Sequence, residues 1–385
     1  MNGLVRLSSV LSNRLLWPGP VRAALLLAVF GVLGVALPGE VGAQVTRPEP
    51  TEAVALSEVA AQLDMRHGKR KTTGRSAEKR LPLAVRVALN EWADDIVAHD
   101  LQVHVPKEAH AVLLGRADGK SFAEASGVLD ETWELVAPLL PEDEDGPAVL
   151  VFLFDREAMD GEAWGGVLDA LVERNELVAY GADNLRRDPG PLMLRALPGF
   201  LQPSFDMAGD AAAGDDEFRL ANEVAHKFTQ CLLKSRHGEV PGSIRWGLGF
   251  VVEQRQFRSI YQMNHSGFVA SADHFDWPKK ARSTLLDAAK DDGFSLADLA
   301  LDEGAAGTPA PPQMLTWAAL DYLHAKDPDG LRSLLDELGA LHAEGAGRRV
   351  AQDYLGDADA TRELLAQHLD GVDSRKLASH LKRLK

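Results

Sequence analysis

The sequence predicts an α+β protein in which a small β-sheet subdomain precedes a mostly helical C-terminal region. Three patterns support this prediction. Helix and strand signals alternate between residues 81 and 210, a long helix candidate follows within 211–301, and helical spacing of apolar residues dominates 302–385. A content of 45% hydrophobic and 25% charged residues is typical of a globular protein.

The first 43 residues have the pattern of a secretory signal peptide. Three arginines precede residue 23, residues 23–37 are an uninterrupted apolar run, and Val41 and Ala43 occupy the small-residue positions of a cleavage site. Cleavage after Ala43 predicts an extracytoplasmic protein, either periplasmic or secreted. The alternative is a retained N-terminal anchor, although the run is shorter than the ~20 residues of a typical span.

Residues 44–80 are polar and basic, which predicts a flexible linker. The alternative interpretation is that the basic residues contact anionic envelope polymers. No second long apolar run follows, so no transmembrane helix is predicted after signal cleavage.

The net charge of −16 disfavours nucleic acid and anionic lipid as partners. The single cysteine, Cys231, cannot form an internal disulfide and is predicted to be a small buried hydrophobic residue.

The elements of the 81–210 subdomain follow from apolar periodicity. Residues 81–97 and 121–140 have helical spacing, whereas residues 101–106 alternate as a half-buried strand does. The apolar run at 148–155 predicts a central strand, and residues 176–181 predict a shorter one. After about residue 283, helical spacing recurs in four segments, and a loop rich in Gly and Pro at 302–313 separates these last helices from the rest.

The helix candidate at 214–235 carries the chemistry. Asp215 or Asp216 can cap it, and its apolar residues form one stripe that leaves Asn222, Glu223 and His226 on the other side. Asn222 and His226 are one turn apart, which is the spacing that His-Glu-x-x-His motifs use to bind zinc. In that motif the Glu is the general base, here Glu223, and an amide replaces the first ligand. An ordinary amphipathic helix would also present these residues.

Downstream residues resemble the second helix of the gluzincin metallopeptidases. In that family the zinc helix is followed by a loop, often with Pro, and then by a helix with Trp, two residues, Glu-Gly and often a further acidic residue. This sequence keeps Pro241, Trp246 and Glu253. The Glu-Gly position, whose Glu is the third zinc ligand, reads Gly249-Phe250, or Leu248-Gly249 if one residue is deleted.

The wider layout is similar to a family of extracytoplasmic, peptidase-like proteins of uncharacterised function. The apolar strand segment at 148–159, the helical segment at 313–338 and the closing segment at 354–369 carry this similarity, which spans roughly residues 85–375. The resemblance implies a gluzincin-like peptidase domain with a degenerate metal site, in which Asn222 and Gly249 occupy lost ligand positions. It implies a pseudopeptidase that binds a polypeptide or an envelope component without hydrolysis and needs no cofactor.

Two alternatives remain open at this stage. The first is an active metal-dependent peptidase with a rearranged zinc site, in which His226 and Glu253 bind the metal and Glu223 is the base. A further histidine would complete that site, with His237, His265 and His274 as candidates, and Tyr261 could donate a proton to an oxyanion. The second is a structural envelope protein whose Glu223–His226 face is covered by neighbouring helices. Under the leading interpretation Asn222 and Trp246 are binding residues.

Overall fold

A computed structural model describes most of the chain from residue 81 to residue 384. The described residues are 81–141, 146–155, 158, 161–187, 189–204, 220–262, 272–273, 276–288, 290, 295–297, 311–345 and 358–384. The predicted signal peptide, the linker, the capping residues Asp215 and Asp216, most of the 302–313 loop, His265 and His274 lie outside them. Among the described helices, none is long and apolar enough to cross a membrane.

Five strands form one mixed sheet in the N-terminal part of the described chain. Its elements are α1 (Leu83–Glu91), α2 (Ala93–Ala98), β1 (Gln102–His104), β2 (Ala111–Arg116), α3 (Gly119–Val136), β3 (Val149–Phe154), α4 (Glu162–Glu173), α5 (Ala179–Arg187), β4 (Leu192–Leu197) and β5 (Phe200–Pro203). The strands lie in chain order, and only β2 and β3 are parallel, because α3 carries the chain across between them. The predicted small sheet is therefore confirmed.

Apolar residues of the three central strands pack on both faces of this sheet. Val112, Leu150 and Met193 contribute to one core, which α1, α2, α4 and α5 cover. Their neighbours in sequence, such as Leu113 and Val151, point to the opposite and larger core. Burial on both faces explains why these strands read as continuous apolar runs rather than as alternating ones.

Three details of the subdomain differ from the sequence prediction. The segment 176–181 is not a strand, because Glu176 turns inward to bind Arg195 and α5 begins at Ala179. The single helix predicted over 81–97 is two helices that meet at Trp92, whose backbone leaves helical geometry with φ −107° and ψ 6°. Strands β2, β4 and β5 were not predicted.

A helical hairpin packs on the face of the sheet that carries the larger core. It consists of α6 (Leu220–His237) and α7 (Gly242–Phe257), and α6 packs against α3, α7 and β4. Gly238 ends α6 with φ +77°, the left-handed conformation that favours glycine, and this allows the short turn into α7. The apolar stripe predicted for α6 is buried, and its polar side is covered too, since Asn222, Glu223, Lys227 and Gln230 are all buried.

The rest of the described chain is mostly helical, as predicted. A two-residue ladder pairs β6 (Tyr261–Gln262) with β7 (Ala272–Asp273), and α-helices with described bounds follow it. These helices are α8 (Trp277–Ala288), α9 (Pro311–Lys326), α10 (Pro328–Gly345), α11 (Ala358–Leu365) and α12 (Ser374–Leu381). Helix α9 packs on α7, and α12 packs on α8 and α9.

A buried carboxylate ties three of these helices together. Asp321 of α9 has no solvent exposure; Arg255 of α7 donates to its Oδ1 at 3.0 Å, and His380 Nε2 of α12 lies 2.6 Å from its Oδ2. Burial would raise the pKa of Asp321, but the hydrogen bond from His380 and the charge of Arg255 outweigh burial and lower it. The C-terminal helix is therefore anchored on a charge that stays ionised.

We predict that Asp321→Asn lowers the free energy of unfolding by about 3–5 kcal/mol at pH 7, since it leaves Arg255 without its carboxylate. The folded pKa of Asp321 lies below its unfolded value, so this stabilisation is complete above about pH 4 and is lost as the pH falls through the folded pKa. Urea unfolding between pH 3 and 7 measures the difference between the variant and the wild type.

The control is Asp329→Asn on α10, whose side chain is 87% exposed. It should change stability by less than about 1 kcal/mol. An Asp321→Asn variant no less stable than this control at pH 7 would contradict the anchoring role.

Candidate functional site

Three of the sequence-predicted site residues meet between α6 and α7. The short connection makes the two helices antiparallel, so the first turns of α6 face the last turns of α7. Asn222 Nδ2 donates to Glu253 Oε2 at 2.9 Å, and His226 Nδ1 lies 2.7 Å from Glu253 Oε1. Glu253 is fully buried. These three residues are called here the Asn–His–Glu cluster. Asn222 and His226 of α6 thus provide a hydrogen-bond partner for each carboxylate oxygen of Glu253 on α7.

The contact with Glu253 engages one of the two ring nitrogens of His226. When Glu253 is ionised, both of its oxygens accept hydrogen bonds, so Nδ1 is the donor in the contact with Oε1. Nε2 is then the nitrogen left for other partners, and the side chain of His226 keeps 16% of its surface exposed. A carboxylate that orients a histidine through Nδ1 occurs around metal ligands and around general bases alike.

Position 249 requires glycine because the imidazole ring of His226 lies close to its backbone. A Cβ atom at position 249 would lie 2.6 Å from Nδ1 and 2.8 Å from Cε1 of the imidazole ring, so any larger residue would displace the ring. The ring also contacts Phe250, with centroids 4.7 Å apart. The position at which the resemblance expects a zinc-binding Glu is therefore filled by the imidazole itself.

Glu223, the general-base position, pairs with a residue that the sequence analysis did not single out. Lys227 Nζ lies 3.3 Å from Glu223 Oε2, and both side chains are almost completely buried. The signal was present in the sequence as a Glu–Lys pair at i and i+4 on one helix. On a helix taken to be amphipathic, that spacing indicates an ordinary surface pair, and only the burial of the whole helix shows that the charges are enclosed.

The remaining candidates lie apart from the cluster or outside the described side chains. His237 ends α6, where its two ring nitrogens lie 3.0 Å from Asp336 Oδ1 and from the carbonyl oxygen of Leu139. Burial lowers the pKa of His237, and eleven residues of helix put it ~16 Å from His226. Trp246 is half-buried against the main core, two turns before Glu253 on α7. Tyr261 starts β6, and its side chain is not among those described.

The donors present do not fit the three-ligand zinc site of the family. The Asn–His–Glu cluster supplies one imidazole and one carboxylate, and each already binds the other. The second carboxylate, Glu223, carries an ammonium group beside it, which repels a cation. Across the part of the chain that the structure describes, no group of three or more His, Cys, Asp or Glu side chains is arranged to hold a metal ion.

Comparisons with protein-family models, with curated proteins and with solved structures gave no match for this chain.

We predict that Asn222→Asp destabilises the fold by about 3 kcal/mol at pH 7, because it sets a second carboxylate against the buried Glu253 and removes a donor. One shared proton relieves this repulsion, so the loss should shrink as the pH falls. Chemical unfolding at pH 7 and pH 4 measures both effects. Asn90→Asp, at an exposed position in the last turn of α1, is the matched control and should cost about 1 kcal/mol or less.

Proposed function

We propose that this protein is an extracytoplasmic pseudopeptidase, with a gluzincin-like helix pair that binds a polypeptide or an envelope component without hydrolysing it. The observation that carries the proposal is the saturation of Glu253, whose two buried oxygens are taken by Asn222 and His226. In the family, the corresponding polar groups face a metal ion. Here they face each other across the hairpin, and breaking that arrangement would expose a buried charge.

The position of Glu253 supports a gluzincin-like arrangement. Glu253 occupies the place of the further acidic residue that often follows Glu-Gly in the family, rather than a ligand position. A carboxylate at such a place orients the ligands that surround a metal. Its contacts with Asn222 and His226 suit that outer role. What is missing is the inner set, at Asn222 and Gly249.

The edge of the sheet beside α6 supports the binding of an extended chain. Strand β5 is the last strand in the described sheet, its four residues are all half-buried, and it packs against α6. An edge strand offers a row of backbone donors and acceptors that an extended polypeptide can pair with. We therefore propose β5 as the polypeptide-binding edge, with the predicted signal peptide supplying the extracytoplasmic location.

The second candidate is an active metallohydrolase with a rearranged site. The specific observation in its favour is the orientation of His226, which leaves Nε2 and not Nδ1 for a further partner. Such a site would require the carboxylate of Glu223 to leave the ammonium group of Lys227. A purely structural role is favoured by the burial of Asn222 and Glu223, and it predicts neither metal nor polypeptide binding.

We predict that the purified wild-type protein contains less than about 0.1 zinc per chain, whereas Asn222→His with Gly249→Glu restores up to one zinc, because three ligands then converge on one point. The imidazole of His226 must rotate away to admit the new side chain at position 249. Elemental analysis after dialysis against trace zinc gives the stoichiometry. The variant tests metal binding alone, since Glu223 still pairs with Lys227.

The two single variants are the matched controls, and each should stay below the double variant because it supplies only two ligands. One tightly bound zinc in the wild type, with peptide hydrolysis that Glu223→Gln abolishes, would replace the pseudopeptidase proposal by the hydrolase. A folded double variant that takes up no zinc would show that the helix pair lacks the family's geometry.

A further inference from the structure

A second polar site lies farther along the same hairpin, around Arg245. The side chain of Arg245 is only 14% exposed, yet within the described chain it makes no hydrogen bond, and its Nε is buried without an acceptor. Its one ion pair, with Glu239 Oε2, spans 3.9 Å, which is too long for a hydrogen bond. A guanidinium group has five donors, and the one at Nε is buried here without an acceptor, which is costly. An enclosed arginine in this state indicates a missing acceptor.

A lysine shares the surroundings of Arg245. Lys234 Nζ and the guanidinium carbon of Arg245 both lie 5.4 Å from the centre of the Phe200 ring, a cation–π distance in each case. Lys234 also pairs with Glu239, which bonds it through Oε1. Glu239 is therefore in contact with two enclosed cations, in a chain whose net charge is −16. This group of Lys234, Glu239, Arg245 and Phe200 is called here the cation pair site.

The position of this site relates it to the proposed polypeptide-binding edge. Phe200 is the first residue of β5. Lys234 is eight residues after His226 on α6, ~12 Å along the helix, and Arg245 is four residues before Gly249 on α7, ~6 Å. A chain that pairs with β5 would therefore pass the cation pair site at one end of its path.

We propose that the cation pair site binds a carboxylate of the polypeptide ligand, with Arg245 as the main donor and Lys234 as the second charge. This inference rests on the proposed function, because the polypeptide supplies the carboxylate. Arginine binds planar carboxylates through two parallel hydrogen bonds, and a desolvated pair of this kind is stronger than an exposed one. The carboxylate belongs either to the C terminus of the ligand or to an acidic side chain.

Glu239 is the internal competitor for this ligand. It follows Gly238 in the turn between the helices, and its two oxygens face the two cations. It hydrogen-bonds Lys234, whereas its contact with Arg245 is too long for a hydrogen bond, so Arg245 keeps its donors for an incoming group. Removal of the Glu239 charge should therefore strengthen ligand binding rather than weaken it.

The test is a titration of the mature protein followed by the ¹⁵N–¹H resonance of Arg245 Nε, which Arg245→Lys identifies by its loss. N-acetylglycine mimics a C-terminal carboxylate, N-acetylaspartate diamide mimics an acidic side chain, and N-acetylglycinamide is the neutral control. We expect a saturable shift with at least one carboxylate and none with the amide. The probe that binds with the higher affinity identifies the source of the carboxylate, either the C terminus or an acidic side chain.

Variants of Arg245 and Glu239 test whether these residues determine the affinity for the carboxylate probes. Binding measured by calorimetry should weaken at least about tenfold in Arg245→Gln and tighten about threefold in Glu239→Gln. Arg332→Gln is the control, since that side chain lies exposed on α10 and should leave affinity unchanged. No shift with either carboxylate in both the wild type and Glu239→Gln would overturn the proposal, as would saturation by inorganic phosphate alone.

These probes need neither zinc nor peptide hydrolysis, so the result is independent of the metal test. If the protein binds the carboxylate probes and also proves to hold zinc, the proposal for the cation pair site stands. Only the pseudopeptidase proposal is then withdrawn.

Discussion

The buried carboxylate of Glu253 is the constraint on which the site depends. A carboxylate without water must be paired and hydrogen-bonded, because its desolvation costs several kcal/mol. Its partners, Asn222 and His226, come from the other helix of the hairpin, so the requirement fixes the register of α6 against α7. The same requirement brings the imidazole onto Gly249, where only a residue without Cβ leaves room for it. Asn222, His226 and Glu253 are thus joined by mutual polar contacts.

Enclosed charges recur where helices of this chain meet. Arg195 of β4 joins Glu91 of α1 to Glu176 before α5, and Asp321 joins α7, α9 and α12. These groups share a rule with the Asn–His–Glu cluster, namely that each buried charge is bonded to a group on another element. The guanidinium group of Arg245 differs from these three groups, since it is enclosed and has no hydrogen bond within the described chain. The buried pair of Glu223 and Lys227 differs from them too, because both of its residues belong to α6.

Much of the fold was predictable because apolar periodicity reports burial. It indicated the strand at Val149–Phe154, the helix at Gly119–Val136 and the helical C-terminal region. It failed at 176–181, because the contact of Glu176 with Arg195 depends on a strand that starts some fifteen residues later. At the site, the sequence indicated Asn222, His226 and Glu253 as candidates. Their mutual bonding was out of reach, since it depends on the antiparallel register of two helices and on burial of the polar side of α6.

The claim that Glu253 and His226 satisfy each other, and that no metal competes for them, is tested most directly by the imidazole of His226. Long-range ¹⁵N–¹H correlation of the wild-type protein resolves both ring nitrogens and shows which one carries a proton. We predict a proton on Nδ1, hydrogen-bonded to Glu253, and ring signals that do not move when one equivalent of zinc is added. A nitrogen signal that shifts to a metal-bound position with that equivalent of zinc would contradict it.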